Sequence, residues 1–146
     1  FPTRRSSDLV DSEYLIGLLK VNNFIYEKDL NKANILVINT CGFIKPAKEE
    51  SINVILQAAD LKAKGKIEKL IVMGCLSERY RNELVQQIPN VDAIMGVNSW
   101  NEVIKYLKND VDVVLDANRN ILTPKHYAYL KFPKGAITCV FFVPFR

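Results

Sequence analysis

Two short apolar runs, Ile35-Leu36-Val37-Ile38 and Leu70-Ile71-Val72-Met73, each lead directly into a cysteine. The first continues as Asn39-Thr40-Cys41-Gly42-Phe43 and the second as Gly74-Cys75-Leu76. Runs this short and this rich in branched side chains predict strands covered on both faces, as in a parallel sheet. In such sheets ligands collect at the carboxyl ends of the strands, where the chain turns into the next helix. Two thiols at two equivalent strand ends can converge on one metal centre.

The rest of the chain supports a sheet of this kind. With 146 residues, 49% of them hydrophobic, it is long enough for one domain with a sizeable core. No apolar stretch approaches the length of a membrane-spanning helix, and no apolar segment follows Arg4 and Arg5 as a secretory signal would require. Three cysteines without framework spacing fit a reducing compartment, so a soluble cytoplasmic protein is expected. The formal net charge is +4, of which residues 1–9 supply +1 and residues 132–146 supply +2. The remaining +1 over residues 10–131 gives no electrostatic case for nucleic-acid binding.

Between these landmarks helix and strand signals alternate. Asp11 or Ser12 is expected to cap a first helix carrying Leu15, Leu18 and Leu19, with Asn22-Asn23 ending it. Phe24-Ile25-Tyr26 reads as a short strand, and Ile35–Asn39 as the next. Pro46 suits the first turn of a helix to about Lys64, with Ile52, Ile55, Leu56 and Ala59 inward and Gly65 as its stop. After the Leu70–Met73 strand, Ser77 is expected to cap a helix that runs through Ile88 to Pro89. Val91–Val97 reads as a fourth strand, and Ser99-Trp100-Asn101-Glu102 has the form of a capping box for a helix to Leu107. Val111–Leu115 is a possible edge strand, and a domain boundary is expected near Asp116 to Pro124. The pattern predicts an α/β fold with a flavodoxin-like, doubly wound parallel sheet.

With these pieces placed, the chain resembles the N-terminal domain of the methylthiotransferases, a branch of the radical S-adenosylmethionine enzymes. The likeness is carried by Leu9-Val10-Asp11-Ser12-Glu13, Ile38-Asn39-Thr40-Cys41-Gly42-Phe43-Ile44, Ala47-Lys48-Glu49-Glu50-Ser51-Ile52 and Met73-Gly74-Cys75-Leu76-Ser77-Glu78-Arg79-Tyr80. Gly96-Val97-Asn98 and the segment Thr123 to Lys131 extend it over nearly all of residues 9–131. Leu9–Glu13 and Ala47–Ser51 are more similar to the branch that modifies an aspartate of a small-subunit ribosomal protein than to the transfer-RNA-modifying branch. The resemblance implies an auxiliary [4Fe-4S] cluster held on three cysteines, with Cys41 and Cys75 matching two of them. Thiolates are the ligands such clusters take. It also implies that S-adenosylmethionine and a second [4Fe-4S] cluster serve the complete enzyme. On the same resemblance Asn39 and Thr40 are expected beside the cluster, shaping the turn or bonding its sulfurs.

Both ends depart from the family pattern. The remaining family cysteine stands in a Leu-Gly-Cys-Pro-Lys-Asn segment and would fall at Arg5; residues 1–8 have no family likeness and read as non-native sequence. Residues 9–116 then form the cluster domain, 117–131 a linker towards a radical domain, and 132–146 a frameshifted tail. With one base restored after Lys131, the tail codons can read Ile-Ser-Glu-Gly-Cys-Asn-Asn-Leu-Cys-x-Phe-Cys-Ala-Ile-Pro, a radical-cluster motif. Cys139 is accordingly expected to be no ligand, and this chain alone to be inactive. The family's first strand lies in mid-sheet, so its loss is expected to leave two apolar edges unpaired and the chain poorly soluble.

Blander readings stand beside these. Buried cysteine is common and inert, so spacing alone leaves Cys41 and Cys75 open between core residue and ligand. His126 reads as solvated, Trp100 as a packing anchor, and Glu49, Glu50, Glu78 and Arg79 as solvated helix faces or i,i+4 pairs. A nucleotide or flavin binder of this fold would need a glycine-rich phosphate loop, and neither G-x-G-x-x-G nor a P-loop is present. A non-catalytic α/β interaction domain is the alternative from another class.

Overall fold

The computed structural model describes residues 6–27, 32–40, 45–115 and 138–144. In chain order the elements are α1 (Ser6–Val21), β1 (Phe24–Tyr26), β2 (Ile35–Thr40), α2 (Lys45–Ala63) and β3 (Lys69–Gly74). They continue as α3 (Cys75–Arg79), α4 (Arg81–Gln87), β4 (Ala93–Ile94), α5 (Trp100–Lys108) and β5 (Thr138–Pro144). The sheet order is β1-β5-β2-β3-β4, with β2, β3 and β4 parallel.

Side-chain alternation along the central strands explains why both faces carry helices. Leu36, Ile38, Leu70 and Val72 point to one face and pack with Val54, Ile55, Ala58, Leu76, Leu84 and Ile88 of the chain from α2 to just past α4. Ile35, Val37, Ile71 and Met73 point to the other and pack with Leu15, Ile16, Leu18 and Leu19 of α1 and Val103, Ile104 and Leu107 of α5. Every residue of β2 is buried. Full burial of a Leu or Ile side chain contributes about 1.5–3 kcal/mol relative to exposure, so these two layers hold the sheet rigid. This is the doubly wound α/β arrangement that the apolar runs predict.

Several local expectations are corrected. The first helix begins at Ser6, so Asp11 and Ser12 lie inside it. Ser6, Ser7 and Asp8 are as good a start signal as Asp11-Ser12. Its end is as expected: Asn23 adopts φ 68°, the left-handed conformation that asparagine tolerates. On α2, Leu56 is 47% exposed, while Val54 and Ala58 are buried beside Ile55 and Ala59. Ile52, Ile55 and Ala59 pack inward as expected, and packing against Leu36 and Ile38 takes Val54 and Ala58 in place of Leu56. Ser77 lies within α3 and caps nothing, and the expected single helix is two, broken at Tyr80. The fourth strand is confined to Ala93–Ile94, and Val111–Leu115 forms no strand. Ser99 stands at the N-cap of α5 but makes no side-chain cap bond.

The expectation of an empty mid-sheet slot is also corrected. β5 fills it, antiparallel to β1 on one side and to β2 on the other. Thr138-Cys139-Val140-Phe141-Phe142-Val143 is a run of branched and aromatic residues, which favour strands, and two open strand edges are a template for such a run. Cys139 is thereby paired in register with Ile38. The expected boundary near Asp116 to Pro124, the linker 117–131 and His126 lie outside the described residues. Trp100 is a packing anchor as expected, its ring 4.9 Å from that of Tyr14.

A buried asparagine ties the segment after α5 to the end of α1. Buried Asn22 donates from Nδ2 to the carbonyls of Leu18 (2.8 Å) and Val114 (2.6 Å), and its Oδ1 accepts from Val114 N–H (2.9 Å). Asn22→Ala is expected to destabilise the fold by about 2 kcal/mol, because it leaves backbone groups without their partners. A urea-denaturation midpoint unchanged from that of the parent chain would contradict this.

Candidate functional site

The carboxyl ends of β2, β3 and β4 form one patch, built on backbone register. Thr40 pairs with Gly74, so Cys41 and Cys75 are the residues that follow a paired position on neighbouring parallel strands. Cys41 lies outside the described residues; Cys75 is partly exposed and opens α3. Its Sγ lies 3.5 Å from the Thr40 carbonyl oxygen, to which the thiol donates a hydrogen bond.

Gly74 makes the close approach of the two strand ends possible. Its φ of 112° is a conformation that side-chain-bearing residues rarely adopt. A Cβ here would collide with the Thr40 carbonyl oxygen and lie 2.8 Å from Thr40 N and 2.7 Å from Asn39 Oδ1. Glycine is therefore required where β3 passes into the turn that carries Cys75.

Around the thiol the hydrogen bonds run between strand ends. Buried Thr40 donates from Oγ1 to the Met73 carbonyl (2.8 Å) and accepts from Ser77 N–H (3.4 Å). The hydroxyl of Ser77, fully buried, sits 2.8 Å from the Gly74 carbonyl and 2.6 Å from that of Met95. Asn39 is buried at the same end, its Oδ1 beside Gly74. Lys48 of α2 places its Nζ 3.7 Å from the centre of the Tyr80 ring. The result is a soft sulfur donor on a rigid, solvent-reachable frame, suited to a metal ligand or a nucleophile. Ser77 had no sequence signal for this role; its position two residues after a strand-end cysteine reads equally as a helix cap.

The described donors fall short of a metal centre on their own. Among the described residues no three His, Cys, Asp or Glu side chains come together to hold a metal ion. One described thiol does not fit an iron–sulfur cluster, which takes several thiolates. Two hollows elsewhere, of about 450 and 470 Å³, lie between α2 and the end of α4 and beside β4, and neither includes Asn39, Thr40 or Cys75.

An open α/β sheet with a thiol fixed at the end of a central strand defines a class of domain in which the strand ends carry the chemistry. Within that class, residues 6–96 match the family described as "Uncharacterized protein family UPF0004", and the chain belongs to that family. It is similar to the protein of Phocaeicola vulgatus called ribosomal protein uS12 methylthiotransferase RimO, with 48% identity over 132 residues. That match covers 89% of this chain and 31% of the relative. Proteins of the same name from Acetivibrio thermocellus (42% identity, 88% of this chain and 32% of the relative) and Flavobacterium psychrophilum (47%, 89% and 30%) are also similar. The chain thus spans about a third of the length of these relatives. No helix among the described residues is long and apolar enough to cross a membrane.

Proposed function

We propose that residues 9–116 form the cluster-bearing domain of a longer cytoplasmic enzyme that adds a methylthio group to an aspartate of ribosomal protein uS12. The single observation that carries this reading is the register of β2 on β3, which sets Thr40 against Gly74 immediately before two cysteines. In this reading Cys41 and Cys75 would be two of the thiolates holding an auxiliary [4Fe-4S] cluster, which when bound would provide sulfur chemistry at the strand ends. The longer enzyme supplies the remaining thiolate, a second cluster and the site for S-adenosylmethionine. Thr40 and Asn39 shape the strand ends beside the cluster. The names of the similar proteins favour uS12 over transfer RNA as the substrate.

A chimaera tests this directly. Residues 9–115 of this chain replace the matching segment of the Phocaeicola vulgatus relative, in cells lacking their own enzyme. Mass spectrometry of uS12 is expected to find one added methylthio group. Unmodified uS12 alongside a folded, soluble chimaera would contradict the reading, and modification of transfer RNA in its place would overturn the substrate.

A further inference from the structure

Glu78 lies on a solvated helix face, as its sequence reads, and its carboxylate also makes a tertiary contact. Its Oε2 accepts the Val97 backbone N–H at 2.8 Å. The residue before it, Ser77, reaches the Met95 carbonyl at 2.6 Å, and Gly74 N–H reaches the Gly96 carbonyl at 3.4 Å. All three ties run from the turn that carries Cys75 to one segment, Met95–Val97.

This convergence has a physical reason. α3 has only five residues, too few to hold their own conformation by helical hydrogen bonds. β4 has only two, so the segment after it is fixed weakly by the sheet. Each short element is held by the other. Gly96 leaves the space this needs, because a Cβ there would approach Glu78 Oε2 to 3.1 Å.

We propose that Glu78 and Ser77 are positioning residues for the Cys75 thiol, strapping the Gly96–Val97 turn to α3 so that the sulfur keeps one direction. The inference rests on the reading of Cys75 as a ligand, since a ligand must be held before the metal arrives. Gln in place of Glu78 keeps an acceptor oxygen, whereas Ala removes it.

The test uses the full chain without iron. Cys75 alkylation by iodoacetamide is followed by peptide mass spectrometry, which reads Cys41 and Cys139 separately, and hydrogen exchange of the Val97 amide is measured alongside. Glu78→Ala is expected to speed Val97 exchange about tenfold and to raise the Cys75 alkylation rate, as loss of a charge-assisted hydrogen bond would. Glu78→Gln is expected to stay near the parent chain in both. Asp92→Ala serves as the stability control, because Asp92 holds Leu70 N–H and Lys62 at the opposite end of β3. It is expected to leave Cys75 alkylation unchanged. The inference is overturned if Glu78→Ala moves neither readout, if Glu78→Gln behaves like Ala, or if Asp92→Ala matches Glu78→Ala at Cys75. Because no readout involves iron, such a failure is separate from failure of the ligand reading, which iron content decides.

Discussion

Gly74→Ala is expected to cost about 4 kcal/mol or more, among the largest effects a single methyl group can have in this chain. A non-glycine residue at a sparsely populated backbone conformation costs about 1–3 kcal/mol by itself. Here the added Cβ also meets the Thr40 carbonyl oxygen and amide nitrogen, both backbone atoms of a central strand. Neither can retreat without opening the β2–β3 ladder, whose last pair is Thr40 with Gly74. The thermal midpoint is expected to fall by about 10 °C or more for a chain of this size. Gly65 provides the contrast: its φ is 72°, but a Cβ there meets nothing within 4 Å. Gly65→Ala is therefore expected to cost only about 1 kcal/mol. Equal thermal midpoints for the two variants would contradict the account of the strand end.

Cys75→Ser is expected to have the opposite profile, leaving the fold intact and removing function. The side chain is partly exposed and donates to the Thr40 carbonyl, which a serine hydroxyl can also reach. Stability is expected to change by less than about 1 kcal/mol, as for surface substitutions generally. Serine offers a hard oxygen in place of a soft thiolate, and iron–sulfur clusters are held by thiolates. In the chimaera with the Phocaeicola vulgatus relative, uS12 modification is expected to fall by more than about a hundredfold, beyond the 10–100-fold that loss of an outer partner causes. Retained modification by Cys75→Ser would remove Cys75 from the ligand set.

What could be read from the residues divides along a physical line. Ile35–Ile38 and Leu70–Met73 were legible as strands because covering on both faces leaves a continuous apolar run, and no helix of that length would be so uniform. The position of Cys75 at a strand end followed directly. The phase of α2 was not legible, since Leu56 and Val54 are equally apolar and only packing against Leu36 and Ile38 chooses between them. Ser77 was misread as a cap because its partner, the Met95 carbonyl, lies eighteen residues away; Glu78 is exposed as read, but its bond to the Val97 amide, nineteen residues away, carries no sequence signature either. The burial of Glu13 was likewise invisible, because a glutamate in an early helical turn reads as a solvated charge. β5 was not legible as part of this sheet, since its pairing depends on a slot formed by strands more than a hundred residues earlier in the chain.

The most direct measurement is anomalous X-ray scattering at the iron edge from crystals of the reconstituted chimaera. The account predicts iron density bonded to the sulfurs of both Cys41 and Cys75, at the carboxyl ends of β2 and β3. Iron bonded elsewhere, with the Cys75 sulfur free, would contradict it.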